Sequence, residues 1–168
     1  MTYLEFLEKK VRIALPAGKI VHADDVHPML HDWQNAIVTW AASRGRAAIF
    51  ADCGLGKTFM QVEWARLMHR RGALIVAPLS VARQTVREAR KIGVDIEYVR
   101  ETPPGDGGLW ITNYEMLHEF DAARFDAVVL DESSILKNYV GKTRTSIIDQ
   151  FKCTPYRLPR TATPPPHD

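Results

Sequence analysis

At 168 residues, with 46% hydrophobic and 25% charged residues, the chain has the size and composition of one globular domain with a proper core, too short for two and unlike a disordered, fibrous or membrane protein. Its 22 Lys and Arg against 20 Asp and Glu leave a net charge of +2, which excludes bulk basicity as an argument for nucleic-acid binding and restricts any such surface to a local patch. Cys53 and Cys153 stand far apart without a CxxC partner, which excludes a disulfide framework or zinc site; with no apolar run near the ~18 residues of a spanning helix and no signal-peptide pattern, a cytoplasmic location away from membranes is expected.

In chain order, Leu4, Leu7 and Val11 share one helical stripe and predict a short helix over residues 3–13, broken by Pro16-Ala17-Gly18. Residues 19–30, with Pro28 and no clear period, read as a connector, so residues 1–30 form an N-terminal helix and connector ahead of a domain over 31–168. An amphipathic segment follows at 32–43. Apolar runs at 47–51, 73–77, 94–99, 109–112 and 127–130 predict short strands, and helices are predicted at 57–71 and 81–92 with a short helical turn near 114–118. Strands that read as continuous apolar runs and alternate with helices are covered on both faces, which gives an α/β class with a mostly parallel sheet and right-handed crossovers. The stretch TPPGDGG at 102–108 is a solvated loop rich in breakers. A last helix is predicted at 141–151 and a strand-like segment at 156–161, in which Pro159, lacking an N–H, favours an edge or a bulge.

The densest chemical signal is ADCGLGKT, residues 51–58, between a predicted strand and a predicted helix. Gly54 and Gly56 open the backbone to conformations closed to residues with a Cβ. The N–H groups of Cys53, Gly54, Leu55, Gly56, Lys57 and Thr58 can then turn toward phosphate oxygens. The helix N-terminus adds its dipole, Lys57 has the reach for the β and γ phosphates, and the Thr58 hydroxyl suits Mg²⁺. Ala51 stands where the strict pattern writes Gly, a position where a small residue suffices, and Cys53 reads as a small neutral filler. The second signal is VVLDES, residues 128–133, an apolar strand ending in adjacent carboxylates. Asp131 is expected to hold Mg²⁺ through water and Glu132 to orient or deprotonate an attacking water. ATP and Mg²⁺ are the ligands these two segments predict.

Together with smaller segments, the pattern resembles the first RecA-like lobe of superfamily 2 helicases, and most closely the SNF2-like helicases of phages and prophages. HDWQ at 31–34 sits like a Q motif, which implies that the Gln34 amide reads the adenine edge. LIVAPLSVARQTVREA at 74–89 resembles motif Ia and ITNYE at 111–115 resembles motif Ib. The resemblance implies contacts from Ser80, Arg83, Gln84, Thr112 and Asn113 to a nucleic-acid backbone, with DNA the expected track. DESS at 131–134 stands where most of the superfamily has DEAD or DEAH, so Ser134 would meet motif III differently. TAT at 161–163, carrying Thr161 and Thr163, resembles motif III, which couples hydrolysis to movement, although Pro159 and the tail PPPHD depart from the family pattern.

The resemblance spans about residues 31–168. It implies a P-loop NTPase sandwich that needs a second RecA-like lobe, in a longer chain or a separate one, for its arginine finger, a group worth ~10³ to 10⁵ in rate in related phosphoryl transfer. The expected function is the ATP-binding lobe of a DNA-dependent ATPase, helicase or translocase, in a bacterial or phage-infected cell. The alternative is a nucleotide- or nucleic-acid-binding module without turnover on its own. A kinase lid or a guanine-reading NKxD is not found in the sequence.

Overall fold

The computed structural model describes residues 16–52, 54–132, 145, 147 and 149–161. The predicted helix at 3–13, Cys53, Ser134, Thr163 and most of the predicted helix at 141–151 lie outside them, and at Thr161 only the backbone is described. Among the described residues, α1 (Asp32–Arg44), α2 (Lys57–Met68) and α3 (Leu79–Lys91) precede the strands β1 (Ile49–Phe50), β2 (Gly72–Val76) and β3 (Glu97–Tyr98) in turn, and β4 (Gly108–Thr112), β5 (Ala127–Leu130) and β6 (Tyr156–Thr161) follow. Short 3₁₀ turns occupy Ala23–Asp25, Tyr114–Glu119 and Ala122–Arg124.

The strands form one sheet in the order β1-β6-β5-β2-β4-β3, and every neighbouring pair is parallel. The α/β class read from the sequence is the observed one. Side chains alternate across the sheet with period two, and each face has its own core. Ala73 and Ile75 of β2, Leu109 and Ile111 of β4, Ala127 and Val129 of β5 and Leu158 of β6 pack with Val38, Ala41, Met60, Trp64, Met68 and Ala89 from the three helices. On the opposite face Leu74, Val76, Trp110 and Val128 pack with Leu117, Phe120, Phe125, Ile147 and Phe151. Because both faces are covered, β2 is buried at every position, which is why its sequence reads as an unbroken apolar run.

Element ends differ from the sequence reading where polar groups take over the backbone. The helix expected to reach Arg71 ends at Met68, because the N–H groups of Arg70 and Arg71 turn to the Asp126 carboxylate at 2.9 and 2.6 Å and so start β2 beside β5. Burial works against the charge of Asp126, but those two N–H groups and the Arg71 side chain hold its carboxyl below the ordinary range. The strand expected over 94–99 contracts to Glu97–Tyr98, since the Val94 N–H is spent on the Ala89 carbonyl, closing the end of α3.

Pro159 is a correction. β6 lies inside the sheet between β1 and β5, not at an edge. The N–H and C=O of Arg157 both face the β1 side, bonding Gly45 and Ala47, so by alternation Pro159 presents its missing N–H to that side as well. The ladder is interrupted there, between the Arg46–Arg157 bridge and the Ile49–Arg160 pair, while the β5 side pairs through Leu130 and Pro159. A proline is tolerated inside this sheet because its missing donor falls in the gap that shortens β1 to two residues.

Trp110 lies over the paired glycines Gly72 and Gly108 and meets Phe125 edge to face at 5.9 Å between centroids. A Cβ at Gly72 would overlap the indole ring. Gly72→Ala should therefore lower stability by about 1–3 kcal/mol, seen as a lower urea midpoint at unchanged slope; an unshifted midpoint would show that the ring is free to move aside.

Candidate functional site at the carboxyl edge of the sheet

With all strands parallel, the segments that leave their carboxyl ends emerge along one edge, where ligands of open α/β sheets bind. Residues 51–58 leave β1 there, Asp131 and Glu132 leave β5, Thr161 closes β6, and Pro78 and Asn113 follow β2 and β4. The two signals strongest in the sequence, far apart in the chain, share this edge.

The glycine loop bends where the sequence reading requires it. Gly54 and Gly56 both have positive φ, 82° and 64°, and α2 starts directly after Gly56. Gly54 and Leu55 are exposed. The Lys57 Nζ donates to the Ala51 carbonyl at 2.6 Å, so the side chain folds back across the loop that it terminates. Thr58, next on the helix, is half-buried.

Gln34 supports the loop from behind. It is buried; its Nε2 donates to the Leu55 carbonyl at 3.2 Å and its Oε1 accepts the His31 N–H at 2.9 Å. A Cβ at Gly56 would overlap this amide. The amide expected at an adenine edge is thus engaged at both atoms, one on the start of α1 and the other on the glycine loop. A second tie comes from Glu63, fully buried on α2, which accepts the His27 N–H at 2.8 Å and pairs with Arg66 at 2.6 Å, while Arg66 also donates to the Asp25 carbonyl at 2.7 Å. The hydrogen bond to Glu63 holds the Arg66 guanidinium above its ordinary pKa. The connector ahead of α1 is therefore pinned to the helix that follows the loop.

Asp131 is buried at 1% exposure. Its Oδ1 accepts the Nε of Arg160 at 2.8 Å and also the Arg160 Nη2, while its Oδ2 accepts the Nε2 of Gln61 at 3.1 Å. Its backbone N–H bonds the Val76 carbonyl and its carbonyl accepts the Tyr114 hydroxyl, both at 2.8 Å. The structure thus brings the helix after the glycine loop into direct contact with the β5 carboxylate through Gln61, one helical turn beyond Lys57. Glu132 has φ 52°, the left-handed region that residues with a Cβ seldom adopt, and among the described residues it is the one non-glycine found there.

Arg160, Gln61 and Tyr114 were not singled out by the sequence reading. Arg160 sits two positions after buried Leu158 and so on the same face of β6, and nothing in its type marks it for burial. Gln61 lies four residues after Lys57 on the same helical face, and nothing in its type marks it.

Of the residues expected at a nucleic-acid backbone, Ser80, Arg83 and Gln84 are exposed at the start of α3, followed by exposed Arg87 and Arg90. Thr112 and Asn113 are buried instead. The Asn113 Oδ1 accepts the Tyr98 hydroxyl at 2.8 Å and its amide donates to Glu115, because Asn113 caps the turn leaving β4 and its polar atoms are consumed by neighbours. Among the described residues no three His, Cys, Asp or Glu side chains converge on a metal position, and no helix is long and apolar enough to cross a membrane.

No protein-family profile matches the chain. No curated protein sequence matches it either. Solved structures do. The UvsW helicase of bacteriophage T4 superposes with a TM-score of 0.65 at 14% identity, over 97% of this chain and 61% of that one. A second structure of T4 UvsW gives 0.64 at 14%, over 97% and 35%. The fold is that of a helicase RecA-like lobe. The Type ISP restriction-modification enzyme LlaGI, solved as a nuclease-deletion mutant with a DNA substrate mimic, gives 0.64 at 16%, over 80% of this chain and 15% of that one. The chain therefore spans less than two thirds of each of these proteins, and at such identities the likeness is one of fold.

Removing the amide of Gln34 tests its place behind the loop. Gln34→Ala should cost about 1 kcal/mol, the scale of a lost helix-start hydrogen bond, and should speed amide hydrogen exchange across residues 54–58. Exchange unchanged over that stretch would show that the loop holds its shape without Gln34.

Proposed function

We propose that this RecA-like lobe is the ATP-binding half of a nucleic-acid-dependent ATPase of helicase superfamily 2, SNF2-like in its motifs, working as a helicase or translocase when a second lobe completes it. The observation that carries the reading is the meeting of the 51–58 loop and the Asp131-Glu132 pair on one sheet edge, with Gln61 of the loop's own helix bonded to Asp131. Many α/β folds have a glycine turn or an acidic strand end. A glycine turn that ends in Lys-Thr and is joined through its helix to a buried acidic strand end is a narrower arrangement.

The roles follow from the groups. N–H groups along 53–58 and the start of α2 offer positive potential to a triphosphate, and the exposed turn at Gly54 and Leu55 leaves that side open to solvent. Lys57, held at the Ala51 carbonyl, has only to exchange that oxygen for phosphate oxygens. The Thr58 hydroxyl and, through water, Asp131 would supply the hard oxygen donors that Mg²⁺ prefers, and Mg²⁺ there would neutralise charge on the phosphates. Glu132, turned by its left-handed backbone, would orient the attacking water. Gln34 serves as the brace of the loop. Ser80, Arg83 and Gln84, with hydroxyl, guanidinium and amide groups in solvent, suit the sugar-phosphate backbone of DNA without reading its sequence.

One observation favours a lobe that holds nucleotide without turning it over: both oxygens of Asp131 are engaged by Arg160 and Gln61. Titration calorimetry separates the possibilities. Lys57→Ala should abolish ATP binding, while Glu132→Gln should keep it and lose any hydrolysis; unchanged affinity in the Lys57 variant would defeat the nucleotide reading. Affinity for single-stranded DNA should fall steeply with salt, and a flat salt response would remove the α3 surface from the proposal.

A further inference from the structure

The pair formed by Arg160 and Asp131 is the feature that the nucleotide reading does not absorb. Their side chains are 8% and 1% exposed. Two N–H groups of one guanidinium converge on Oδ1, and the Gln61 amide takes Oδ2. Burying two charges is costly, and the cost is met only when hydrogen bonds compensate; here both carboxylate oxygens have donors. Position adds to this. Arg160 pairs in register with Ile49 of β1, the strand that delivers the glycine loop, and β6 lies between β1 and β5. A cation is therefore built into the sheet between the two phosphate-site segments, on the carboxylate where a divalent ion would be expected.

We propose that Arg160 is a latch that excludes the divalent cation: its guanidinium holds Asp131 in place of a metal, so that a nucleotide enters the glycine loop with little dependence on Mg²⁺ while the pair is closed. This rests on the nucleotide reading above. The chemistry is an exchange of partners. Asp131 can turn to a metal only if Arg160 releases it, and the released guanidinium, still buried, needs another anion, for which the phosphates of the same ligand are the nearest in kind. Gln61, whose Oε1 is buried without a hydrogen-bond partner among the described residues, has acceptor capacity to spare when the carboxylate moves.

The test titrates a fluorescent ATP analogue with excess Mg²⁺ and with EDTA, alongside electron paramagnetic resonance counting of bound Mn²⁺. Wild type should bind the analogue with affinities within about threefold in the two buffers and hold little Mn²⁺. Arg160→Gln should widen the ratio to about tenfold or more, in favour of the metal, and should take up Mn²⁺ when nucleotide is present. Equal ratios in the two proteins, or a wild type that already shows the wide ratio, would overturn the latch. If Arg160→Gln does not fold, Arg160→Lys decides, because a single ammonium cannot reproduce the forked contact; a metal dependence identical to wild type then overturns the latch. Binding of the analogue by wild type in EDTA, abolished by Lys57→Ala, reports on the nucleotide reading separately. Absence of binding in either buffer would end that reading and the latch with it.

Discussion

A carboxylate removed from water must be met by donors on every side, and Asp131 is the point at which this chain satisfies that demand. Its five hydrogen bonds reach α2, β2, β6 and the turn after β4. No single contact among them would define the site. Collectively they fix where β5 ends and how α2 approaches it. They also fix where the polypeptide must turn so sharply that Glu132 takes a backbone conformation seldom used by residues with a Cβ.

The parallel sheet makes that convergence possible. With every neighbouring pair parallel, β1, β6 and β5 all end at the same edge. The two cores then hold the sheet from either side, and the edge between them carries the polar and charged groups. The ties from Gln34 and Glu63 extend the arrangement further: α1 is bonded to the glycine loop through Gln34, and the connector to the flank of α2 through His27.

Much of this was legible in the sequence. The glycine spacing requires positive φ at Gly54 and Gly56, and both have it. The run ending at Asp131 could be read as a strand because apolar residues fill both of its faces. What could not be read was pairing at a distance. Nothing local says that Asp126 will draw in the N–H groups of Arg70 and Arg71 and so end a helix early. Likewise Thr112 and Asn113, polar residues after a strand, look like surface residues until the neighbours that enclose them are known. Arg160 is the sharpest case: its type argues for solvent, and only a partner 29 residues earlier in the chain accounts for its burial. Pro159 misled for a related reason. The rule that excludes proline from interior strands concerns a missing donor, and here the donor is missing on the side where the ladder is already interrupted.

That interruption gives the two sides of β6 unequal pairing. β5 and β6 are laced together along four consecutive residue pairs, whereas β1 pairs with β6 at two positions, after a gap from the single bridge that Arg46 makes ahead of the strand. The glycine loop is mounted on the tip of β1, so the part of the molecule that would meet an arriving phosphate chain hangs from a two-residue strand.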